Sequence, residues 1–169
     1  MIKIAILCSV IFSLNVFSHE GHHHAPHSSE QKKSEATIDV QLVYKKIQAD
    51  FLQKIKPIFN QKCAVCHSSE AIAPWYASIF IAGGLITSDM AKAREHLEIS
   101  KGFPFTGQGT PAEDLHAIKE VVVKDLMPTQ LYLFFHSDKR LSNEEKGVIL
   151  DWVNNSEKDL GSVSLRKKL

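Results

Sequence analysis

Apolar residues recur along this chain at helical spacing, separated by short polar connections rich in Gly and Pro. Val40, Tyr44, Ile47, Phe51 and Ile55 lie on one face of a helix, and Pro57 ends or restarts it. Pro74 and Gly83-Gly84 punctuate the next stretch, and Thr87 or Ser88 is placed to open a helix through about Ser100. Lys101 to Gly109 reads as a loop. Thr110-Pro111-Ala112-Glu113 then combines an N-cap, a proline at the first helical position and a capping-box Glu. The helix it starts buries Leu115, Ile118 and Val122 and stops before Pro128, with a β-prone Val121-Val122-Val123 run inside it. A second capping box, Ser142 to Glu145, opens a last helix whose inner stripe is Val148, Ile149, Trp152 and Val153. No internal repeat is evident. The pattern predicts an all-α domain over residues 38–158, and a basic tail over 159–169 that includes Arg166-Lys167-Lys168.

The N-terminal residues add a compartment. Lys3 is a short basic start, Ile4 to Phe17 is almost continuously apolar, and Val16-Phe17-Ser18 is an acceptable cleavage site. Residues 1–18 are therefore read as a secretory signal peptide. The run falls short of the roughly 20 apolar residues a membrane span needs. Cys8 sits within it without the small preceding residue that lipid attachment favours. Residues 19–37 have no apolar period: His19, His22, His23, His24 and His27 alternate with Gly, Pro and Ser, and Glu30 to Glu35 is charged and polar. This stretch reads as a disordered spacer whose imidazoles are also suited to weak binding of copper, zinc or nickel. With Lys plus Arg at 20 and Asp plus Glu at 19, no net charge draws the chain toward nucleic acid.

Cleavage after Ser18 would leave Cys63 and Cys66 as the only thiols, in Cys63-Ala64-Val65-Cys66-His67. C-x-x-C-H is the attachment signature of a c-type haem. On a helix, residues three and four apart share a face, so both thiols can reach the vinyl groups along one side of a porphyrin. The following histidine is carried beneath the macrocycle, where it can bind iron. A thioredoxin-like disulfide would need a βαβ context, which is absent. Structural zinc would need two further convergent ligands. The candidate cofactor is one haem c, covalent through Cys63 and Cys66, with His67 as axial ligand. An exported chain with this motif belongs in a bacterial periplasm, among redox partner proteins.

The other face of the iron has a short list of ligands. Met127 lies at a helix end before Pro128, which suits presentation of a thioether to iron. Met90 sits among Ala91, Ala93 and Leu97, as a packed core residue would. His96, His116 and His136 are alternatives, and so is an open sixth position. Met127 is the expected ligand. The resulting six-coordinate site would carry electrons and do no bond chemistry. The competing reading is a haem peroxidase or small-gas sensor with an open or displaceable sixth ligand, and His136 or Tyr132 as distal acid–base group. Trp75 and Tyr76 could line the haem, and Lys92 and Arg94 could pair with propionates.

The order of these parts resembles class I cytochromes c: an N-terminal helix, C-x-x-C-H, a later methionine and a C-terminal helix with an aromatic. The resemblance implies a cytochrome c-like helical domain around one haem. A narrower likeness covers about residues 40–155. Cys63 to Ser68, Pro74-Trp75-Tyr76, Leu97, Ser100, Met127-Pro128, Tyr132, His136, Leu141-Ser142, Glu145 and Trp152 resemble, in order and spacing, the small exported bacterial proteins of the haem-binding domain family. That likeness implies haem binding more firmly than any reaction. The chain departs from the family pattern at Ala73, where a tryptophan is usual, and at Ile99 and Phe103, where a Phe and a Trp are usual.

Overall fold

The computed structural model describes residues 28–166; residues 1–18, read above as a signal peptide, the histidines of 19–27 and residues 167–169 lie outside the described residues. Helix α1 (Ser28–Asp50) runs into a π-helical turn (Phe51–Ile55) and onward as α2 (Lys56–Lys62). Ile47, Phe51 and Ile55 are buried as their spacing predicts, and Phe59 extends the stripe. The wide turn has a cause in the sequence. In an unbroken α-helix, the Pro57 ring would collide with the carbonyl of Gln53 and offer it no N–H. The π turn opens the ladder just ahead, with the Lys56 N–H reaching the Phe51 carbonyl. Pro57 then falls in the first turn of α2, where an N–H has no intrahelical partner anyway.

The core forms where this stripe meets two later helices. Helix α5 (Pro111–Val123) contributes Leu115, Ile118 and Val122; α7 (Asn143–Arg166), which packs on both α5 and α1, contributes Ile149, Trp152 and Val153. Phe51 is the aromatic hub, with ring centroids 5.7 Å from Phe59, 5.2 Å from Phe105 and 5.7 Å from Trp152. Such pairs add about 0.5–1.5 kcal/mol each beyond the area they bury. The Trp152 Nε1–H donates to the Ile47 carbonyl at 3.4 Å, so the indole is not left unsatisfied. Both predicted capping boxes are formed. The Thr110 N–H donates to Glu113 at 2.8 Å, and the Ser142 N–H to Glu145 at 2.7 Å.

Several boundaries differ from the expectation. The helix predicted from Thr87 or Ser88 is α4 (Phe80–His96), which begins before the glycine pair. Thr87 caps nothing: its hydroxyl donates to the Gly83 carbonyl at 2.7 Å, inside the helix. Gly83 is there for packing, because a Cβ would collide with the carbonyl of Ala77 in the preceding 3-10 turn (Trp75–Ser78). Helix α4 also stops before Ser100. The chain extends at Leu97, and β1 (Leu97–Glu98) pairs antiparallel with β2 (Thr106–Gly107).

The two tails are shorter than read. Within 19–37, residues from Ser28 onward belong to α1, and 159–166 continue α7. Val163 is buried and Asp159 pairs with Lys46 at 2.7 Å, contacts too far from the last periodic residues to be read from their spacing. Val148 is exposed; Ile149, Trp152, Val153 and Ser156 form the inner face, one position round the helix. Apart from β1 and β2, the described residues form an all-α, cytochrome-like fold. Among them no helix is long and apolar enough to cross a membrane.

Candidate functional site

The motif closes a single turn. Cys63 ends α2 and starts α3 (Ala64–His67); its carbonyl accepts from Cys66 N–H at 3.1 Å and from His67 N–H at 3.0 Å. The two thiols and the imidazole are thus brought together by local backbone geometry alone. Cys63 packs against the core, and burial pushes its thiol up to about 12. Burial, and then the charge of Asp89, also raise the Cys66 thiol, with Arg94 pulling it down. Both shifts favour the neutral thiol over the thiolate.

His67 is fixed from outside the motif. Its Nδ1 lies 2.9 Å from the Leu97 carbonyl, and its own carbonyl accepts from Ile99 N–H at 2.9 Å. A carbonyl only accepts, so Nδ1 carries the hydrogen and Nε2 keeps the lone pair that could bind a metal. The extension of the chain at Leu97, where α4 stops short, makes both contacts. Sequence reasoning singled out Leu97 and Ser100 by resemblance but not this partnership, since any residue supplies a carbonyl. Ser100 lies beside the motif as well, its hydroxyl 3.4 Å from that of Ser69. Glu98 accepts from Ser100 N–H at 2.9 Å.

A second cluster joins Tyr76, soon after the motif, to two residues from the far half of the chain. The Tyr76 hydroxyl is 2.8 Å from His136 Nε2, and the Tyr132 ring lies 4.5 Å from that imidazole. Burial raises both phenols, Tyr132 to about 12, and the nearby Cys66 adds to each. Lys62, next to Cys63, helps to hold this half in place by donating to the carbonyls of Asp138 at 2.8 Å and Arg140 at 3.2 Å.

Met127 sits between α5 and α6 (Gln130–Phe135), its side chain 41% exposed. Its position is set by the end of α5. Asp125 is left-handed (φ 54°), Asp125 N–H bonds the Val122 carbonyl at 3.4 Å, and Leu126 N–H bonds the Val121 carbonyl at 2.9 Å. That is a Schellman turn with Asp where Gly is usual, and Lys146 of α7 pairs with the Asp125 carboxylate. No hydrogen bond, ion pair or ring contact joins Met127 to the motif. Met90 is buried, as a core residue should be. Of the histidine alternatives, His96 is exposed, His116 faces Glu157 of α7 at 3.9 Å, and His136 has its Nε2 engaged by Tyr76.

Among the described residues no group of three or more His, Cys, Asp and Glu could hold a metal ion. The residues fit a haem instead. One turn offers two thiols beside an imidazole of fixed tautomer, and Trp75, Phe80, Met127 and Leu131 expose apolar surface on the segments flanking the Tyr76–His136 contact.

Fold and site together define a helical haem protein. The chain belongs to the haem-binding domain family, whose model matches residues 19–155, and it is a haem-binding protein. No curated protein and no solved structure matches it.

Proposed function

We propose that this chain is an exported, periplasmic mono-haem c-type protein that carries electrons between redox partner proteins. Cys63 and Cys66 would hold the haem through thioethers, His67 would bind one face of the iron and Met127 the other. The observation that carries the reading is the 2.9 Å contact from His67 Nδ1 to the Leu97 carbonyl, inside a C-x-x-C-H turn. It orients the imidazole and leaves Nε2 as the metal-binding atom. The bound haem supplies a one-electron iron couple. The chain's part is to fix His67, exclude water with apolar side chains and leave one haem edge accessible. Lys3 and the apolar run to Phe17 support export, and the histidines of 19–27 support a secondary, weak metal-binding role.

A second reading rests on the Tyr76–His136–Tyr132 cluster. With an open or displaceable sixth position, His136 or Tyr132 would serve as acid–base groups toward peroxide or a small gas. Carbon monoxide separates the two readings: the reduced electron carrier should bind it slowly and incompletely, a sensor or peroxidase fast and fully.

The test of the main reading is expression with a c-type maturation system. Haem should stay with the denatured chain, and be lost from Cys63→Ser/Cys66→Ser. Haem that extracts freely into acidified solvent from the unaltered protein would defeat the covalent assignment.

A further inference from the structure

Arg94 lies on the last turn of α4, three residues before Leu97, on a helix that packs against the motif helix α3. Its Nε is buried and has no hydrogen-bond partner, and among the described residues no carboxylate pairs with its guanidinium. A guanidinium does not shed its charge, and a buried N–H left without an acceptor costs free energy, even on a side chain that is half-buried as a whole. No acceptor among the described residues accounts for the burial of this N–H. Lys92, two residues earlier, points to solvent as an ordinary helix-face cation does.

We propose that Arg94 anchors a propionate of the haem, its planar fork taking the carboxylate and its buried Nε gaining the acceptor it lacks. The inference rests on the haem held at Cys63, Cys66 and His67. It assigns a ligand-binding role to one member of the Lys92/Arg94 pair and denies it to the other. A bidentate guanidinium matches a carboxylate in a way that an exposed ammonium does not. Arg94 would be a positioning residue: it fixes the macrocycle's tilt and offsets the propionate charge near the iron.

The experiment compares holoproteins of Arg94→Gln, Arg94→Lys and Lys92→Gln with the unaltered chain. Midpoint potential and the propionate bending mode in the resonance Raman spectrum are read. Arg94→Gln should shift the potential downward, because a fixed positive charge favours the reduced iron, and should shift the propionate mode. Arg94→Lys should keep the potential near the unaltered value and shift only the mode, since one ammonium replaces a fork. Lys92→Gln should move neither. A propionate mode unchanged in either Arg94 variant overturns the assignment. Equal potential shifts in Arg94→Gln and Lys92→Gln also overturn it, by showing a generic surface charge. If Arg94→Gln does not mature, the Arg94→Lys mode decides. An unaltered chain that matures without covalent haem would sink the haem reading itself, and the Arg94 assignment with it.

Discussion

His67 and Leu97, thirty residues apart, meet through one hydrogen bond of 2.9 Å from the imidazole Nδ1–H to the backbone carbonyl. The bond depends on α4 ending where it does. Had the helix run on through Ser100, the Leu97 carbonyl would have pointed along the helix axis toward a later N–H. Extension at Leu97 turns that carbonyl toward the motif, and Ile99 N–H takes the His67 carbonyl in the same stretch. His67 is thus held by two backbone groups from a segment far away in sequence.

The two methionines should separate cleanly. Met127→Ala is expected to abolish the near-infrared Met-to-iron(III) band and to make carbon monoxide binding fast, with little effect on stability, because the side chain is 41% exposed. Met90→Ala should keep the band and lower unfolding free energy by about 2–5 kcal/mol, the range for deleting a buried Met side chain. Loss of the band in both, or in Met90→Ala alone, would remove Met127 as the axial ligand.

Tyr76→Phe deletes the hydroxyl 2.8 Å from His136 Nε2 and should cost about 0.5–1.5 kcal/mol in chemical denaturation. If the cluster is structural, the Soret and visible bands should not move. A changed rate of reaction with peroxide, at unchanged stability, would instead favour the acid–base reading of His136.

Acid stability should depend on Glu98. Partial burial by itself would raise this carboxyl, but hydrogen bonds from Ser100 and Ser69 outweigh it and hold the group below the ordinary carboxylate range. The folded-state value is depressed, so its contribution is fully present above the unfolded carboxylate value of 4.5 and fades as pH falls through the lower folded value. Glu98→Gln should flatten that acid limb of the stability–pH profile. A limb as steep as in the unaltered protein would show that Glu98 is not responsible.

Gly83→Ala sets helix propensity against packing. Alanine gains up to about 1 kcal/mol inside a helix, but its Cβ meets the Ala77 carbonyl, and overpacking costs about 1–3 kcal/mol. The net change measured by thermal melting should be destabilising. Gly84→Ala, where a Cβ meets nothing, should be neutral or stabilising.

The sequence by itself determined what nearest neighbours decide. The C-x-x-C-H turn is local, so the grouping of Cys63, Cys66 and His67 was legible from spacing. The capping boxes at Thr110 and Ser142 were legible for the same reason, as were the stripes of α1 and α5, because side chain and backbone meet within one or two helical turns. The family's haem binding followed from those local signals too. Only the tertiary structure decided the rest. It placed the carbonyl of Leu97 beside His67, engaged His136 with Tyr76, and buried the Nε of Arg94 without a partner. Each of these depends on segments thirty or more residues apart, or on which side of a helix faces inward, and residue spacing records neither. The ends of α4 and α7 were misjudged on the same ground. Position 83 is a glycine inside a helix because a Cβ would meet the Ala77 carbonyl, and past Asn155 α7 buries Val163 and pairs Asp159 with Lys46.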